Sequence, residues 1–213
     1  MSAEITAEAL VYWYLRLNGF LTITNFIVHP DEGRNQETDA DILGVRFPYR
    51  AENLNRPMKD HEVILGPPGK IHMVIGEVKT GLCNLNGPWT KPERRNMHRV
   101  LKAIGILQSR EAETAAAKLY DSGRYENQRC RISLLCFGKN HNPQIAEKYS
   151  MVPQILWSDL IPFIYERFKS YRNQKVSHLQ WDEDGHKLWD AFEQSRDASI
   201  FASQFNFGNS GLI

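Results

Sequence analysis

The pattern of apolar and polar positions divides the chain into helical and extended segments. Over residues 7–18, Leu10, Tyr14 and Leu17 recur at three- and four-residue spacing. This predicts a helix with Thr6 as N-cap and Gly19 as its stop. FLTITNFIVH (20–29) alternates and is rich in β-branched and aromatic residues, which predicts a strand, and TDADILGVRF (38–47) predicts a second. The polar run DEGRNQ between them reads as a loop. A long irregular stretch follows, after which residues 63–65 are expected to pair with the next strand. GPPGK (66–70) has neither the longer spacer of a phosphate loop nor a Ser or Thr after Lys70, so it reads as a turn. Residues 72–79 are apolar on both faces, as in a central strand covered by helices.

GLCNLNGPWT reads as a loop, and Pro92 suits the first turn of a helix running to about Arg110. Met97, Val100, Leu101, Ile104 and Leu107 form its apolar stripe, with Arg95, Arg99 and Lys102 on another face. A further helix ends at Gly123, and CRISLLCFG (130–138) is a buried strand. Helices are expected over 158–175, capped by Ser158 or Asp159, and over 182–195. The tail has no period and is either disordered or docked through Phe201, Phe205 and Phe207. The order predicts an α/β fold, a central mixed sheet flanked by helices. The expected organisation is a core over 1–150, a helical extension over 151–195 packed on it, and a tail over 196–213.

Composition changes this picture little. Of 213 residues, 42% are hydrophobic and 24% charged, ordinary for a globular protein. No apolar run is long enough to span a bilayer, and MSAEITAEAL does not read as a secretory signal, so a cytoplasmic location with no membrane partner is expected. Cys83, Cys130 and Cys136 are odd in number without CxxC spacing, which argues for reduced thiols over a zinc site or disulfide framework. The net charge of +1 is uninformative, but its distribution is uneven. Residues 91–110 hold Lys91, Arg94, Arg95, Arg99, Lys102 and Arg110 against Glu93, and residues 31–41 hold Asp31, Glu32, Glu37, Asp39 and Asp41 against Arg34. Either cluster alone is a solvated surface. A second basic stretch, Arg167, Lys169, Arg172 and Lys175, reads as a solvated face opposite Phe163, Ile164 and Phe168. The histidines show no HxxxH or HxH spacing, and there is no GxSxG.

The candidate chemistry lies where charges interrupt apolar strands. Glu77 and Lys79 project to one face at the end of the 72–79 strand, where a charge costs several kcal/mol unless compensated. Taken alone, the pair is a strand-end salt bridge. Asp39 and Asp41 also share a face on a strand, where Asp is a poor former. If the two strands are neighbours, Asp41 and Glu77 converge, and a hard divalent cation relieves their repulsion. Glu8, on the side of Val11, Tyr12 and Leu15, is by itself a helix-start acid.

This run resembles the PD-(D/E)XK nuclease superfamily, the restriction-endonuclease-like fold, over about residues 1–140. It comprises an acid in the first helix (Glu8), Asp41-Ile42-Leu43, an apolar strand ending Glu77-Val78-Lys79, a basic helix and a further apolar strand. Ala40 stands where the literal motif has Pro. The resemblance implies a nuclease-like core carrying additional C-terminal helices and hydrolysing phosphodiester bonds in DNA, with RNA as an alternative. It implies Mg²⁺ or Mn²⁺ on Asp41, Glu77 and the Val78 carbonyl, Lys79 at the attacking water, and Glu8 in support, with Asp39 a reserve ligand. Arg95, Arg99 and Lys102 would contact phosphates, and Trp89 would stack on a base or close the core. A role in restriction or defence, as a homodimer or within a larger complex, is the weaker implication. The alternative is a non-catalytic binding or interaction subunit on the same fold.

Overall fold

The computed structural model describes residues 5–29, 38–52, 55, 57–177, 181–205 and 207. The first helix, α1 (Ala7–Leu17), starts at Thr6, whose hydroxyl accepts from the Ala9 N–H at 3.1 Å. Strands β1 (Leu21–Val28) and β2 (Thr38–Arg46) pair antiparallel, and β2 pairs antiparallel with β3 (Ile71–Val78). The chain then crosses over through α2 (Gly87–Thr90), α3 (Asn96–Ile104) and α4 (Ser109–Ser122). After β4 (Arg124–Glu126) it enters β5 (Cys130–Gly138), parallel to β3. Next come α5 (Pro143–Lys148), β6 (Gln154–Leu156), α6 (Trp157–Ser170), α7 (Arg172–Lys175), α8 (Glu183–Glu193) and α9 (Ala198–Ser203). The six-stranded mixed sheet runs β1-β2-β3-β5-β4, with β6 also on β5, and helices cover both faces. The α/β architecture read from the sequence is the one observed.

Two apolar layers sandwich the sheet. Val74, Val78, Leu135 and Phe137 pack under α1, α6, α8 and α9. Met73, Ile75, Ile132, Leu134 and Cys136 pack under α3 and α4. This two-sided burial explains why β3 and β5 read as continuous apolar runs. The C-terminal part is more than an appendage, because residues after 150 supply β6 to the sheet and α6, α8 and α9 to one layer. Phe201 and Phe205 are buried there, and Phe207 lies 5.2 Å from Trp157, so the docked alternative for that part of the tail holds.

Several expectations are corrected. Residues 62–64 form a single 3₁₀ turn in place of a paired strand. The Ile64 carbonyl caps the buried His72 ring at 3.1 Å, whose other nitrogen meets the Ser133 hydroxyl at 3.0 Å. Burial pushes the His72 pKa down to about 4, so the ring is neutral at physiological pH. The helix expected from Pro92 to Arg110 is interrupted twice, at Arg95 and Gly105, both left-handed (φ 55° and 74°). Helix α6 starts at Trp157, and Asp159 accepts from the Leu156 N–H at 3.3 Å in the third helical position.

Gly76 precedes the charged end of β3 because nothing larger fits. A Cβ there would lie 2.5 Å from the Ile42 side chain and 3.0 Å from the Phe137 ring. Gly76→Ala is therefore expected to destabilise by about 1–3 kcal/mol through overpacking. Thermal unfolding checks this, at roughly 2–4 °C of Tm per kcal/mol for a chain of this size.

Candidate functional site

Glu77 continues the row Met73–Ile75 into the α3–α4 layer and is only 2% exposed. Both carboxylate oxygens are taken. The Lys79 ammonium donates to Oε1 at 2.5 Å, and the Trp89 indole N–H donates to Oε2 at 2.5 Å. Lys79 stands half in solvent, so the bridge spans from interior to surface. Burial pushes the Glu77 carboxyl above the usual carboxylate range. The Asp41 charge pushes the same way, and the bonds from Lys79 and Trp89 pull back without cancelling the rise.

Asp41 reaches this point from the neighbouring strand. The β2–β3 pairing runs from Arg46–His72 to Ile42–Gly76, so Asp41 stands one step on, opposite Glu77. Its Oδ2 accepts from the Val78 N–H at 2.7 Å. Strand alternation does not carry through this residue, which corrects the expected face. Ala40 and Leu43 join one apolar layer while Ile42 joins the other. Asn25, opposite Asp41 in the β1–β2 register, has φ 51°. At this break in the β1–β2 ladder the Asp41 carboxylate lies across the sheet toward a backbone N–H of β3. In extended chain a residue's N–H and C=O face the same edge, so the Val78 carbonyl also faces β2. Of Asp39 only the backbone is described, and Asp31, Glu32, Arg34 and Glu37 lie outside the described residues.

Glu8 approaches from the opposite layer. It lines a cleft of about 390 Å³ with Tyr12, Thr24, Asn25, Asp182 and Asp184, so it neighbours the residue that stands opposite Asp41. Trp89 is 1% exposed and has no face for a base, which corrects the stacking role. It orients Glu77 instead. Arg95 meets Glu113 at 3.3 Å, Arg99 donates to the Arg94 carbonyl at 3.0 Å, and Lys102 donates to the Ser109 hydroxyl at 2.9 Å. These three lie on or beside α3, on the layer that Glu77 enters. The second basic stretch is divided: Lys169 and Arg172 are exposed, as a solvated face requires, while Arg167 and Lys175 turn inward. Arg167 is fully buried between Glu52 at 3.1 Å and Asp60 at 2.8 Å, and Arg172 pairs with Glu193 at 2.8 Å. Burial would raise the Glu52 carboxyl, but Lys175 and Arg167 hold it below the usual range.

Among the described residues no group of three or more His, Cys, Asp and Glu gathers to hold a metal. The donor set is two carboxylates and a carbonyl. Cys136 is opposite Glu77 in the β3–β5 register, and its thiol donates to the Asn84 carbonyl at 3.1 Å. Comparison with protein-family models, curated proteins and solved structures finds no match for this chain.

A carboxyl whose pKa is higher folded than unfolded binds its proton more tightly in the fold. Its contribution to stability is full below the ordinary Glu range and is lost as pH rises through the raised value. Glu77→Gln imitates the protonated form. It is expected to raise Tm at pH 8 by roughly 2–4 °C, the equivalent of about 1 kcal/mol, with the gain vanishing toward pH 4. A lower Tm at pH 8 would mean that the Lys79 bridge outweighs the burial cost. Trp89→Phe leaves Glu77 Oε2 without its donor, an expected loss of about 1–3 kcal/mol. That loss should shrink in the Glu77→Gln background, as read from a double-mutant cycle of denaturant melts.

Proposed function

We propose that this chain is a metal-dependent nuclease of the PD-(D/E)XK type, hydrolysing phosphodiester bonds in DNA. One observation carries the reading: a carboxylate at the end of a central strand, raised by its burial and further by a second carboxylate on the adjacent strand, and bridged to a lysine two residues on. The residues fit a divalent cation. Asp41 and Glu77 are too few for a caged Ca²⁺ but suit Mg²⁺ or Mn²⁺, which keep several waters, and the Val78 carbonyl faces the same edge. A cation also adds positive charge beside two neighbouring carboxylates that have Lys79 on only one of them. When bound, such an ion polarises a phosphate and lowers the pKa of a coordinated water.

The side chains then have separate tasks. Trp89 keeps one Glu77 oxygen and so presents the other. Lys79, released from that oxygen, holds the attacking water and offsets negative charge building on the phosphorus oxygens. Glu8 supports the site from the Asn25 side. Arg95, Arg99 and Lys102 track phosphates, fixing position without reading sequence. Service in restriction or defence rests on family analogy alone. The satisfied bonding of Glu77 favours one second reading, a non-catalytic binding module in which the same residues form a structural ion pair.

Incubation of supercoiled, linear and single-stranded substrates with Mg²⁺ or Mn²⁺ separates the two. Cutting is expected, with losses of about 10²–10³-fold or more in Asp41→Asn, Glu77→Gln and Lys79→Ala. Binding that survives these changes, with no cutting by the wild type, would support the module. Mn²⁺ at about 100 times its Kd should stabilise the wild type by about 2.7 kcal/mol and leave Glu77→Gln unmoved. Replacing Arg95, Arg99 and Lys102 with Ala should flatten the slope of log K against log salt by about 0.9 for each duplex phosphate no longer neutralised. An unchanged slope would return them to plain surface.

A further inference from the structure

A cavity of about 620 Å³ opens past the carboxyl ends of the parallel strands β3, β5 and β6. Open α/β sheets bind ligands at that end, and the size lies within the roughly 300–1,000 Å³ of ligand pockets. Trp157, Phe205, Phe207 and Ile161 wall it, and Lys139 and Ser158 line it too. Lys139 is exposed. Trp157 is only 6% exposed, and its indole N–H is buried with no acceptor among the described residues. That atom has no accessible surface, so what Trp157 offers the cavity is the face or edge of its ring.

The cavity is stitched to the candidate catalytic end. The Lys139 and Asn140 N–H groups donate to the Gly81 carbonyl at 2.7 and 3.2 Å, and Leu82 forms a parallel bridge with Asn140. Gly81 lies two residues past Lys79, so the cavity rim is hydrogen-bonded to the segment leaving the Glu77–Lys79 strand, with the cavity on the α6–α9 side of the sheet and Glu77 on the α3–α4 side. The cavity combines aromatic walls with a cation at the edge. Together these suit a flat ring attached to an anion.

We propose that this cavity receives an unpaired nucleotide of the strand that is cut at Glu77 and Lys79, making single-stranded or frayed ends the preferred substrate. The proposal rests on the nuclease reading for the position of the cut. A base in a duplex has its faces stacked and its pairing edge occupied, and only a splayed base can enter an aromatic cleft. Its ring packs against Trp157, Phe205 and Phe207, and its phosphate meets Lys139.

The test is fluorescence anisotropy of labelled oligothymidylate and of a blunt duplex, with Ca²⁺ replacing Mg²⁺ so that binding is read without cutting. Oligothymidylate is expected to bind more tightly than the duplex. Ala202→Trp, which fills the cavity from α9, should weaken oligothymidylate by about tenfold or more, the scale of one base stack, and leave the duplex within about twofold. Lys139→Glu, a rim change that leaves the core intact, should act in the same direction and serves if Ala202→Trp fails to fold. Wild-type affinity for oligothymidylate in Lys139→Glu and in folded Ala202→Trp overturns the proposal, as does equal weakening for both probes. Duplex cutting with a silent cavity would sink this subsite and leave the nuclease standing. Cavity-dependent binding with no cutting in Mg²⁺ or Mn²⁺ would sink the nuclease and keep the subsite.

Discussion

A carboxylate that has lost its water must find charge or hydrogen bonds elsewhere, and Glu77 is the clearest case in this chain. Its two oxygens draw on two different parts of the sequence. Lys79 comes from the same strand and Trp89 from the crossover. Asp41 works against both, standing opposite on β2 and adding a like charge. The arrangement is held under electrostatic tension by the sheet around it, since Gly76 permits the close packing of Ile42 and Phe137 that keeps β2 and β3 in place. A site of this kind is stable only as part of a packed sheet, which is why both layers of helices matter to two carboxylates.

The parts of the fold legible in the sequence are those with a long period. β5 is legible at its observed bounds because the segment from Cys130 to Gly138 is apolar apart from Arg131 and Ser133 near its start. Asp41, Glu77 and Lys79 stand out because charges in apolar strands are conspicuous. The role of Trp89 does not, since it sits in a four-residue helix whose bond to Glu77 depends on the path of the crossover. The orientation of Asp41 is not legible either. It follows from a break in alternation between Ala40 and Ile42, opposite a left-handed Asn25, and period-two reading assumes that no such break occurs. The long helix expected after Pro92 fails for a local reason, because Gly105 takes a positive φ that closes α3 in a C-cap.

The nearly neutral net charge also acquires a structural meaning. Arg46, Arg50, Arg167 and Lys175 all turn inward onto Glu52 and Asp60. Those cations are already committed and cannot serve an outside anion. The cations left at the surface include Lys79, Arg95, Arg99 and Lys102 on the α3 side of the sheet, together with Arg129, Lys169 and Arg172 elsewhere.

The Arg167 cluster ties the two ends of the chain into a single inheritance. Glu52 and Asp60 come from the long connection between β2 and β3, and Arg167 and Lys175 come from α6 and α7. A chain cut after residue 150 would take Arg167 and Lys175 from these two acids, leaving them Arg46 and Arg50, and would strip α6, α8 and α9 from one side of the sheet. The long connection and the distant helices thus depend on each other for charge balance as well as for cover.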